Sequence, residues 1–125
     1  MENQIISYKD LIVWKKSMDL VTEIYLLTEK FPKSELYGIV SQIRRCAVSI
    51  PSNIAEGKQR GTRKDYCHFL IMAFGSGAEL ETQLEISKRL NFCKKEECVL
   101  IDRLLNEIVR MLNKLISTLK EASNT

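Results

Sequence analysis

Ser34-Glu35-Leu36-Tyr37-Gly38-Ile39-Val40-Ser41-Gln42-Ile43-Arg44-Arg45-Cys46-Ala47-Val48-Ser49-Ile50-Pro51-Ser52-Asn53-Ile54-Ala55-Glu56-Gly57 is the stretch on which the fold turns. Its apolar residues fall at Leu36, Ile39/Val40, Ile43, Cys46/Ala47, Ile50 and Ile54, a 3–4 spacing that forms one stripe on a helix. Ser34 offers an N-cap and Gly57 a C-cap, so the pattern predicts a helix over residues 34–57. Pro51 stands inside it, where it cannot donate to the carbonyl four residues back and where its ring crowds that carbonyl. The result is a kink or a break. Because the stripe continues through Ile54 and Ala55, a kinked single helix is favoured over two short ones.

On the N-terminal side, two apolar stripes share residues 10–30. One is Leu11, Trp14, Met18, Val21 and Tyr25; beside it run Val13, Leu20, Ile24, Leu27 and Phe31. This helix is capped by Ser7 or Asp10, ends at Phe31-Pro32, and is apolar over more than a surface helix needs. On the C-terminal side, Thr62 followed by Asp65 resembles a capping box and opens a helix over residues 63–90 that stops at Asn91. Its middle, Ala73-Phe74-Gly75-Ser76-Gly77-Ala78, sacrifices helix propensity of about 1 kcal/mol per Gly. Close packing of these small residues against the kink at Pro51 is the expected compensation. A fourth helix, residues 95–120, carries Leu100/Ile101, Leu104/Leu105, Ile108, Met111/Leu112, Leu115/Ile116 and Leu119, again a broad apolar face. Four helices on short connections predict an all-α, up-down-up-down four-helix bundle as one domain over residues 1–125. The doubled stripes leave apolar surface beyond what the core needs, and closed homo-oligomeric assembly is the natural use of it.

Composition excludes several functions. The 125 residues include 19 Lys+Arg against 16 Asp+Glu, one His and four Cys, with 45% hydrophobic content. That is too apolar for disorder, yet no apolar run approaches the roughly 18 residues that span a bilayer. The start, Met1-Glu2-Asn3-Gln4, lacks a leader-like pattern, which with four unpatterned cysteines predicts reduced thiols and a cytoplasmic location. Cys46, Cys67, Cys93 and Cys98 contain no Cys-x-x-Cys pair, so neither a metal nor another cofactor is expected. His68 has only Asp65 at helical spacing, which is better read as N-terminal helix electrostatics than as a catalytic pair. Glu81 and Glu85 read as a solvated, ion-paired face. Glu79 is expected to accept hydrogen bonds from Ser49, Ser52 or Asn53 in a structural network. No catalytic residue is assigned, and the chain does not read as an enzyme.

Charge is unevenly distributed. Between Gln42 and Lys64 lie Arg44, Arg45, Lys58, Arg60, Arg63 and Lys64 against Glu56 alone, a local net of +5 where the rest of the chain sums to −2. Lys58, Arg60, Arg63 and Lys64 should gather at one end of the bundle beside a helix N-terminus, where cations and free N–H groups attract phosphate. The alternative is a solvated connection that serves solubility. Tyr66 is the only ring near this stretch, so base stacking is not expected.

Tyr8-Lys9-Asp10-Leu11-Ile12-Val13-Trp14, the segment Arg44 to Gly57 with its Ser-Ile-Pro-Ser-Asn-Ile-Ala-Glu-Gly string, and Ala73 to Leu80 resemble the bacterial four-helix bundle family of the 23S rRNA intervening-sequence protein. That family is similar to the accessory variability protein of diversity-generating retroelements, a basic pentameric barrel that binds nucleic acid and a reverse transcriptase. The resemblance implies a homopentamer of four-helix bundles. Together with the charge pattern it implies a non-enzymatic protein that binds RNA or DNA through a basic rim of Arg44, Arg45, Lys58, Arg60, Arg63 and Lys64, largely without regard to sequence. The alternative is a protein-interaction scaffold that does not bind nucleic acid.

Overall fold

The structure, a computed structural model, describes residues 7–123. The opening residues Met1 to Gln4 and the tail residues Asn124 and Thr125 lie outside them. Four long helices, α1 (Ile12–Thr28), α2 (Ser41–Arg60), α3 (Arg63–Arg89) and α4 (Val99–Ser123), account for most of the chain, and the described residues contain no strand. Each helix runs antiparallel to its predecessor. Lys16 meets Glu107, Arg44 meets Thr28, Ser49 meets Ser76, and Lys88 meets Asp102, so that α1 also packs against α4 and the bundle closes.

The core selects one face of each helix. On α1 it is the stripe of Val13, Leu20, Ile24 and Leu27, all at most 5% exposed, whereas Met18 and Tyr25 of the adjacent stripe remain about 40% exposed. Ile43, Ala47, Ile50 and Ile54 from α2, Leu70, Ala73, Leu80 and Leu84 from α3, and Ile101, Leu105, Ile108 and Leu112 from α4 complete it. Burying a side chain of this size contributes about 1.5–3 kcal/mol against chain entropy.

The second helix departs from expectation at both ends. Ser34 makes no cap; it lies in a 3₁₀ turn, Lys33–Glu35, followed by a π turn, Leu36–Val40, in which Gly38 leaves helical geometry (φ −105°, ψ −116°). Nor does the helix stop at Gly57. It runs to Arg60, and Gly61 ends it with φ 85°, a left-handed conformation that a side chain resists. Gly57 instead permits close packing. A Cβ there would sit 2.7 Å from Phe69 Cβ and 3.3 Å from the Tyr66 carbonyl oxygen, so α2 and α3 approach closely at this point. Pro51 is buried inside an unbroken α2. Polar side chains around it serve nearby carbonyls, Ser49 Oγ donating to Cys46 O at 2.6 Å and Asn53 Nδ2 to Ser49 O at 2.8 Å.

The small-residue run of α3 does not pack as its composition suggests. Gly75 faces open space, and Gly77 faces α4, where an added Cβ would lie 2.9 Å from Val109 Cγ2. Ser76 meets α2, through its hydroxyl with Ser49 at 2.7 Å and its carbonyl with the Cys46 thiol at 3.0 Å. The α3 start follows its sequence signal more closely: Thr62 Oγ1 accepts from the Asp65 N–H at 3.1 Å. Leu90 and Asn91 end the helix, the latter with φ 62°.

Candidate nucleic-acid interface

The α2–α3 connection needs only Gly61 and Thr62, because the left-handed glycine reverses the chain and the threonine immediately caps the next helix. This tight turn brings Lys58 and Arg60 beside Arg63 and Lys64 at one end of the bundle. The four cations are not equivalent. Arg60 Nη2 is 2.7 Å from Glu56 Oε2, and its guanidinium lies 5.0 Å from the centre of the Phe69 ring. The Lys58 ammonium stands 5.3 Å from the Tyr66 ring, whose hydroxyl pKa is raised by burial. Arg63 and Lys64 are exposed and have no ion-pair partner among the described residues. These two are the free cations of the cluster, in the first turn of α3, where the helix dipole favours an anion although Asp65 already occupies part of that field.

Arg44 and Arg45 do not belong to this cluster. They lie four turns back along α2, about 24 Å from Arg60 at 1.5 Å per residue. The six basic residues therefore form two separate patches and not one rim. Arg44 is anchored: its Nε donates to Thr28 Oγ1 at 2.9 Å and its guanidinium covers the Tyr25 ring at 4.5 Å. Arg45 is exposed. The absence of rings expected from the linear stretch is also corrected, since folding places Tyr25, Tyr66 and Phe69 against Arg44, Lys58 and Arg60. A signal for Tyr25 exists in the sequence, because Tyr25 and Arg44 flank the Phe31-Pro32 turn that folds one helix onto the next.

Other chemistry-bearing residues stay apart. The expected network does not form: Ser49 and Asn53 donate elsewhere and Ser52 is exposed, while Glu79 accepts weakly from Gln83 Nε2 at 3.4 Å and faces the Cys46 thiol. Burial, with the Glu79 charge second, pushes that thiol up to about 12. Cys93 and Cys98 do touch, Sγ to Sγ 3.5 Å, as buried free thiols, and burial likewise pushes Cys93 up to about 12. His68 is exposed and packs edge-on against Phe69. No group of His, Cys, Asp and Glu that would hold a metal ion exists among the described residues. No helix among them is long and apolar enough to cross a membrane.

An antiparallel four-helix bundle with a cationic end defines the class of protein. The chain belongs to the 23S rRNA-intervening sequence protein family, whose model matches residues 9–114. It is also similar to a crystal structure of a protein with unknown function from the S23 ribosomal protein family of Bacteroides thetaiotaomicron. The identity is 27% and the TM-score 0.75, over 84% of this chain and 98% of that one. No curated protein matches it.

Proposed function

We propose that this protein is a non-enzymatic, homo-oligomeric nucleic-acid-binding bundle that holds RNA or DNA by its phosphates. The observation that carries this is the pair of unneutralised cations, Arg63 and Lys64, on the first turn of α3 beside Lys58 and Arg60. Self-association would multiply the patch, and phosphate contacts made together add in free energy. Support for self-association comes from Met18 on α1 and Ile71 and Met72 on α3, each about 40% exposed in the single chain. By the family resemblance we take the assembly to be a pentamer, working in the cytoplasm.

Binding of this kind is steep in salt and indifferent to sequence. The test is an anisotropy titration with a 12-base-pair RNA duplex and a DNA duplex at low and near-physiological salt. The double variant Arg63→Glu/Lys64→Glu is expected to lose binding with its helicity unchanged, since both side chains lie outside the core. Wild-type protein that binds neither duplex at low salt, or a double variant that binds as well as wild type, would sink the proposal. A protein-interaction scaffold would then take its place, favoured by one observation: an open apolar groove between α1 and α4 lined by Leu11, Ile12, Met111 and Leu115.

A further inference from the structure

We propose that the cleft between the C-terminal end of α1 and the start of α2 is a stacking site for single-stranded nucleic acid, with Tyr37 as the platform for a base and Arg45 as a phosphate contact. The site rests on the ligand class proposed above but uses a separate surface. The cleft, of ≈ 480 Å³, is lined by Tyr25, Leu36, Tyr37, Arg44, Arg45 and Val48, among others. Tyr37 is 93% exposed, the most solvent-accessible large apolar side chain among the described residues, and it sits on the π turn beside the non-helical Gly38. An aromatic ring held in water by an irregular backbone is a surface waiting for a flat partner.

The charges identify that partner. Two guanidinium groups line the cleft and no carboxylate does; Glu35, the acidic residue beside it in sequence, packs its carboxylate toward Gly38. Arg44 is already fixed by Thr28 and Tyr25, so little side-chain freedom remains for it to lose on binding, while Arg45 is free to reach an anion. Rings beside unpaired cations match a strand that carries both exposed bases and phosphates. A duplex keeps its bases stacked inside and presents phosphates alone, so Tyr37 has nothing to offer it.

The two basic regions are also suitably placed for one strand. Arg44 and Lys58, 14 residues apart on α2, fall about 40° apart around its axis. The roughly 21 Å from Arg44 to Lys58 along α2 is a span that one octanucleotide covers.

The deciding experiment titrates fluorescein-labelled octauridylate and a 12-base-pair RNA duplex against wild type, Tyr37→Ala, Tyr37→Trp, Arg45→Glu and Arg63→Glu/Lys64→Glu. Tyr37→Ala should weaken octauridylate about tenfold or more and leave the duplex unchanged; Tyr37→Trp should restore single-strand binding; Arg45→Glu should weaken the single strand. Unchanged octauridylate affinity in Tyr37→Ala overturns the inference, as does a wild type that binds duplex but not octauridylate, and in the latter case the phosphate-binding end survives. Octauridylate binding without duplex binding does the reverse, retiring that end and keeping the cleft. Binding of neither removes both. A Tyr37→Ala protein that sediments as a smaller species shows the cleft to be an interface between copies of the chain, which also overturns it.

Discussion

At the scale of single residues, the glycines separate contacts from composition. Gly57 is irreplaceable by geometry, because an alanine Cβ would stand 2.7 Å from Phe69 Cβ, an atom that no side-chain rotation can move away. Gly57→Ala should therefore destabilise by about 1–3 kcal/mol, read as a lower urea midpoint at unchanged slope. Gly75→Ala should do the opposite. It faces open space inside a helix, so the added methyl meets nothing and helix propensity contributes up to about 1 kcal/mol of stabilisation. A Gly75 variant less stable than wild type would show that the exposed side of α3 is packed in solution. The sequence pattern ranks these positions in reverse order: the Gly-Ser-Gly run looks like a packing motif, while Gly57 looks like a helix terminus. Which atoms approach a glycine depends on the rotation of two helices about each other, and periodicity in one chain segment does not encode that.

For whole elements, pattern and structure agree wherever a stripe is long and diverge where a turn decides. The helix formers, the 3–4 spacings and the Thr62 cap are all readable, and all four helices exist. The end of α2 escapes the pattern because two glycines, Gly57 and Gly61, compete for the C-cap, and only the left-handed φ of 85° at Gly61 resolves them. The start of α2 escapes it because nothing in Ser34–Val40 announces a π turn. Gly61 offers a clean test of the connection. With no atom within 4 Å of its hypothetical Cβ, Gly61→Ala carries only the conformational cost of the left-handed region, roughly 1–2 kcal/mol. Thermal melts should show that loss. The tight Gly61-Thr62 turn also explains the partial legibility of the basic site. Arg60, Arg63 and Lys64 are close in sequence and remain close in space, but their proximity to Arg44 and Arg45 along the chain is undone by the 1.5 Å rise per residue of the helix between them.

Considered as a whole molecule, the bundle satisfies its own core with one stripe per helix and leaves the second stripe of α1 half-exposed. Charge placed on the two stripes should have distinct effects. Ile24→Asp buries an unpaired carboxylate at a fully buried position and should unfold the chain. Met18→Asp, at 42% exposure, should keep helicity by circular dichroism but reduce the sedimentation coefficient to that of a monomer. A Met18→Asp protein that sediments like wild type would exclude this face from the assembly. The sequence does not separate the stripes, since both have helical period and similar hydrophobicity; only the directions of the other three helices do. The π turn at Leu36–Val40 has a further consequence for relatedness. A π turn holds one residue more than the α-helix it replaces. Removing one residue from this segment would shift the side chains on the N-terminal side of Gly38 by about 100° around the helix, a change that the kink at Gly38 and the turn at Pro32 confine to this short stretch. A lineage that lost a single codon here could keep all four helices and the whole core, yet carry its tyrosine on another side of the bundle. Gaps in this short segment thus distinguish members that share a fold but differ in the surface they present.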